Sequence, residues 1–172
     1  MDYQLGFILG FAIIVGLGIS LILLSSTNKD NKIRTKYDER QKIARGKSYM
    51  YGFYAMLITS AILMLAHLCG AGHFLGCYGY FIAIIVGVIV QMTHAVFHDA
   101  YIGLNTNVNK YMISMGIIAI INAASAIAGF REGEMIVDGA LNTPFMNLLC
   151  TVMFLVLLID FGIKKLIDKK DN

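Results

Sequence analysis

Five long apolar runs, with thirteen of the chain's fourteen Lys and Arg residues confined to alternate gaps between them, leave very few folds open to this chain. The runs are Tyr3 to Ser25, Ser48 to Leu68, Gly76 to Phe97, Tyr111 to Phe130 and Pro144 to Ile163. Each is close to the roughly 20 residues that a helix needs to cross a hydrocarbon core of about 30 Å. The expected fold is an all-α integral membrane protein, a five-transmembrane-helix bundle forming a single membrane domain over residues 1–172.

The cations set the expected orientation. Residues 26–47 hold Lys29, Lys32, Arg34, Lys36, Arg40, Lys42, Arg45 and Lys47; Lys110 ends the third gap, and Lys164, Lys165, Lys169 and Lys170 fill the tail. Only Arg131 lies elsewhere. Because Lys and Arg are retained on the cytoplasmic side, the pattern predicts an N-out, C-in protein with a basic cytoplasmic loop over 26–47. The first run is expected to stay as an anchor, since no basic residue precedes it and the positive cluster follows it.

Composition points the same way: 58% hydrophobic residues, 15% charged and one proline leave no material for a sizeable soluble domain. The net charge of +3 comes mostly from the first gap, so the expected partners are the bilayer and anionic lipids of the inner leaflet, not nucleic acid.

Helices in lipid associate through small residues and a few hydrogen bonds. Gly6, Gly10, Ala12, Gly16 and Ser20 stripe the first span, while Gly116, Ala119, Ala123 and Ala126 mark the fourth. The fourth span is therefore expected at the centre of the bundle, and the first against a neighbour or a second copy. No proline interrupts Thr35 to Leu68, so a surface helix running into the second span is expected, helped by an Asp38 to Lys42 pair. Cys69 and Cys77 bracket a short outer gap in which a disulfide would pin two helix ends.

The densest polar chemistry inside a span is Gln91-Met-Thr93-His94-Ala-Val-Phe97-His98-Asp99. Spacings of three and four put Gln91, His94 and His98 on one helical face, and Asp160 lies at similar depth on the fifth span. Three readings fit. A metal site would use His94 and His98 with an aspartate completing it. A proton or ion path would use His94, His98 and Asp160 as titratable steps. A structural role would bond Gln91 and His94 to Asn122, Ser114 or backbone carbonyls, with His98 and Asp99 meeting a cation such as Arg40.

Tyr37-Asp38-Glu39-Arg40-Gln41, with Arg45-Gly46-Lys47, and His98-Asp99-Ala100-Tyr101-Ile102-Gly103-Leu104-Asn105 resemble the recurrent segments of a family of small, uncharacterised multi-pass membrane proteins of Gram-positive bacteria. The resemblance covers Tyr37 to Lys110 and implies a bacterial cytoplasmic membrane, with no activity, cofactor or catalytic residue attached. Both segments fall on the cytoplasmic side of the expected topology. If they meet, Asp38, Glu39 and Arg40 are expected to pair with Asp99, Tyr101 and Asn105 as a latch or docking surface.

The leading expectation is a non-enzymatic accessory, sensory or immunity-like membrane component that acts through a partner or self-association. A small transporter or ion pathway is the alternative. An intramembrane metal-dependent enzyme is a third, for which the spacings provide no complete set of ligands and base.

Overall fold

Asp38 starts the first long helix with a capping box: its Oδ1 accepts from the Gln41 amide at 2.7 Å, while Gln41 Oε1 accepts from the Asp38 amide at 3.2 Å. Such a cap stabilises a helix start by about 1 kcal/mol. The helix, α1, runs Glu39–Ala66 in this computed structural model, which describes residues 25–30 and 34–170. The expected first span and its stripe of small residues lie, apart from Ser25, outside the described residues.

The expected unbroken helix running into the second span is present as α1. Its expected Asp38 to Lys42 pair is not, because Asp38 is used as the cap; Lys42 instead meets Glu39 at 2.6 Å. A π-helical turn, His67–Ala71, and a four-residue helix α2, Gly72–Leu75, follow. Gly70, at φ 100°, breaks the axis in a conformation that side chains with a β-carbon resist. The remaining helices are α3 (Tyr78–Phe97), α4 (Val108–Arg131) and α5 (Thr143–Lys170), the last with Pro144 in its first turn.

Among the described residues, four helices are long and apolar enough to cross a membrane: Glu39–Leu75, Tyr78–Phe97, Val108–Arg131 and Thr143–Lys170. Their outward faces carry exposed Ile58, Ile62, Ile117, Ile120, Ile159 and Leu166, the surface a bilayer would cover.

Between α4 and α5 the chain is not helical. Strands β1 (Ile136–Val137) and β2 (Ala140–Leu141) pair antiparallel around Asp138 and Gly139, at φ 51° and 76°. Asp-Gly is the tight-hairpin dipeptide, so this departure from an all-α fold had a local signal.

Packing runs α1 on α3, α3 on α5 and α5 on α4. The expectation that the fourth span is central also involves the first span, which lies outside the described residues; among those described, α4 packs on α5. Its small residues Ala119, Ala126 and Gly129 are buried, and Gly129 is pressed against Pro144 of α5. The core is Met92, Val96 and Leu157, with Tyr101, Tyr111 and Phe161 packed around them.

Two ends follow from the loop contacts. At one, a ring nitrogen of His73 hydrogen-bonds the Asp138 carbonyl at 2.9 Å, joining the second gap to the fourth. At the other, the first gap, the third gap and the C-terminal part of α5 meet. Twelve of the thirteen described cations, all but Arg131, thus belong to gaps and a tail that share one end.

Candidate functional site

The basic end is closed by a collar in which the segments around Tyr37–Gln41 and His98–Asn105 interlock. Its frame is backbone: Leu104 N–H donates to the Lys36 carbonyl at 2.8 Å, Lys29 N–H to Asn105 O at 2.7 Å, and Asn107 N–H to Thr27 O at 2.8 Å. Asn105 fills the middle, its Oδ1 accepting from the Lys36 amide at 2.8 Å and its amide donating to Asp30 and the Arg34 carbonyl, both at 3.1 Å. Gly103 is needed where it stands: a β-carbon there would strike Thr35 and lie 2.7 Å from the Lys36 carbonyl.

The latch residues sort unevenly. Arg40 does reach Asp99, at 3.7 Å, although both are substantially exposed. Asp38 and Glu39 do not take their expected partners, being occupied with the helix cap and with Lys42. Tyr101 joins through its carbonyl, which receives the Tyr37 hydroxyl at 3.5 Å.

Gln41 was not singled out from the sequence, yet it is the buried member of the latch, 5% exposed, donating to the carbonyls of Asp99 at 2.6 Å and Ile102 at 3.3 Å. The signal available was its place three residues after Asp38, where a capping box needs an amide.

Arg45 is the other residue passed over. Its guanidinium donates to the Tyr37 hydroxyl at 2.9 Å, the Ala100 carbonyl at 3.2 Å and the Tyr49 hydroxyl at 2.7 Å, and it lies 4.2 Å over the Tyr37 ring. It borders a cavity of about 270 Å³ shared with Tyr37, Tyr49, Gln91, Tyr101 and Tyr111. Burial pushes the Tyr37 phenol up, Arg45 only partly offsetting it, and burial pushes Tyr101 up further. Both phenols are therefore neutral near pH 7.

Asp99 stands at φ 54°, just past the end of α3. Ala100 N–H reaches back to Ala95 O at 2.8 Å and Asp99 N–H to Val96 O at 3.1 Å, the paired bonds of a Schellman stop. Its carboxylate also meets Lys164 at 3.2 Å, fastening α5 to the collar.

The intramembrane polar cluster does not assemble as one site. Successive helical residues point about 100° apart. Accordingly Thr93 faces α5, donating to Asp160 Oδ2 at 2.7 Å, while His94 faces α1, its Nδ1 2.8 Å from Ser48 Oγ. Asp160 is buried, 7% exposed, on Thr93 and not beside the histidines. Since the Ser48 hydroxyl donates to the Ala44 carbonyl, it receives the His94 Nδ1 proton. Asn122 and Ser114, the other expected partners, bond the carbonyls of Ile118 and Lys110 on their own helix.

His94 and His98 stack face to face, centroids 4.0 Å apart and 13° between planes. Ring-nitrogen lone pairs lie in the ring plane, so parallel rings do not converge on a shared ion. Among the described residues no group of three or more His, Cys, Asp or Glu is placed to hold a metal, and the expected site at His94 and His98 is not assembled. Cys69 and Cys77 are free, exposed thiols separated by the π-helical turn and α2, so the expected bridge is not formed in this structure.

Comparison with known proteins returned no matching protein-family model, no matching curated protein and no matching solved structure.

Proposed function

We propose that this chain is a non-enzymatic component of a bacterial cytoplasmic membrane, with five spans, N-out and C-in, whose collar faces the cytoplasm as a docking platform for a partner or a second copy. The observation that carries this reading is the collar itself. Two polar connecting segments that would otherwise sample many conformations are held by main-chain pairings and by the buried Gln41 amide, which makes their outer surface a fixed shape. Arg40, Lys42 and Glu39 stand exposed on it. The resemblance of these same segments to a family of small membrane proteins supports the reading without supplying an activity.

Photocrosslinking from position 42 in cells, beside a Gly103→Ala variant that forces the collar apart, tests it. A discrete crosslinked species that disappears in the variant, with membrane insertion unchanged, is expected. The same species persisting with an opened collar would remove the proposal.

One observation favours a second reading, a proton or ion pathway: Asp160 is a buried carboxylate within a helix long and apolar enough to span. A pH-driven flux in proteoliposomes abolished by Asp160→Asn would place transport first.

A further inference from the structure

We propose that the Arg45 cavity is a binding site for a phosphate-type anion, supplied either as the headgroup of a membrane lipid or as a free oxyanion. A guanidinium has five N–H donors in a fixed plane. Those of Arg45 engage Tyr37, Ala100 and Tyr49, with a longer 3.5 Å approach to the Tyr101 carbonyl, which leaves Nε–H and part of Nη2 without a partner among the described residues. None of its partners carries a negative charge.

The lining repeats that bias. Twelve residues border the cavity: one is a cation, none is an aspartate or glutamate, and four are tyrosines. The Tyr49 hydroxyl accepts from Arg45, so its own proton is free to donate. The Gln91 side-chain amide borders the same space and has no hydrogen-bond partner among the described residues. Among the described residues no carboxylate hydrogen-bonds or ion-pairs with this half-buried cation, and a tetrahedral oxyanion fits the 270 Å³ and supplies the counter-charge.

Depth is consistent with a lipid source. Arg45 precedes the start of the apolar run at Ser48 by three residues, about 4.5 Å along the helix, which is headgroup depth. Tyr49 and Phe53, on the same face at spacings of four, are half exposed and would lie along an acyl chain.

The inference rests on the collar being an ordered platform. The test uses the full chain in neutral detergent at constant ionic strength. Thermal unfolding is followed with sodium phosphate, with short-chain phosphatidylglycerol, and with the matching short-chain diacylglycerol that lacks phosphate. The phosphate-bearing probes are expected to raise the midpoint and the diacylglycerol to leave it unmoved. A shift from phosphatidylglycerol alone assigns a lipid headgroup; a shift from inorganic phosphate as well assigns a free oxyanion.

Arg45→Gln is expected to abolish the shift, and Tyr49→Phe to raise the half-saturating concentration about tenfold, the loss of one hydrogen bond to a charged group. Lys169→Gln, on the exposed tail, is expected to change neither. Should Arg45→Gln fail to fold, Tyr49→Phe against Lys169→Gln decides. No shift from either phosphate probe, or equal loss in Tyr49→Phe and Lys169→Gln, overturns the site. Protease resistance of residues 34–47 is read in parallel. A resistant segment without a shift removes the anion site alone, whereas a readily cleaved segment removes the ordered collar and the site together.

Discussion

Gly52 of α1 and Gly87 of α3 meet backbone to backbone: a β-carbon on Gly52 would lie 2.7 Å from the Gly87 carbonyl oxygen, and one on Gly87 would lie 2.9 Å from that of Gly52. Close approach of this kind is how membrane helices gain dispersion contacts without a hydrophobic driving force between them. Gly52→Ala must push the helices apart, because the obstructing atoms are main chain. It is expected to destabilise the bundle by about 1–3 kcal/mol in a detergent unfolding titration. Gly46→Ala, with open space around it, is the control. Equal stability of the two variants would contradict the crossing.

Gln41 ties the start of α1 to the loop after α3. Its removal leaves the carbonyls of Asp99 and Ile102 without their donor in a partly buried setting, a loss of about 1–3 kcal/mol. Gln41→Ala is expected to open the collar locally, seen as faster proteolysis within residues 34–47 while the transmembrane helices keep their circular dichroism. Unchanged proteolysis would show that the backbone pairings hold the collar unaided.

Asp99 combines a left-handed backbone with two partly exposed ion pairs. Asp99→Gly keeps the turn and loses only the pairs, so its cost is expected below about 1 kcal/mol. Asp99→Val adds backbone strain and is expected to cost about 1–2 kcal/mol more. The order of the two melting midpoints is the measurement, and Val above Gly would refute the account of how α3 ends.

Tyr37 and Tyr101 give the fold an alkaline limit. Burial raises both phenols above the ordinary value of 10.0, so their contribution to stability is fully present below that value. It is lost as pH rises, first because the unfolded chain ionises while the folded phenols remain protonated. Stability is expected to be insensitive to these groups from pH 6 to 9 and to fall above about pH 10. Tyr101→Phe should flatten that fall, and an unchanged slope in the variant would exclude Tyr101 as its source.

Much of the architecture was legible in hydropathy and charge. The four described helices long enough to span stand where apolar runs predict them, because a run of about 20 apolar residues has nowhere else to satisfy its backbone. The meeting of Tyr37–Gln41 with Asp99–Asn105 was foreseen as a possibility, but the residues that make it were half misassigned. Asp38 and Glu39 looked like ion-pair partners because charge is conspicuous in a sequence. Gln41 acts because it is buried and Arg45 because it is half-buried among carbonyls and phenols, which composition does not reveal.

What the sequence by itself determined is one-dimensional: which segments are apolar, how they alternate, and that nearly all the cations belong to one set of gaps. Only the tertiary structure decided direction around each helix axis. Thr93 and His94 are neighbours in the chain, yet one meets Asp160 on α5 and the other Ser48 on α1. The same blindness leaves the order of packing around the bundle unread, since an isoleucine facing lipid and one facing a neighbouring helix are equally apolar. Glycine spacing marks where helices can touch, and the partner helix settles where they do: Gly52 and Gly87 made a crossing because each found the other's backbone, and Gly116 has no neighbour of this kind among the described residues.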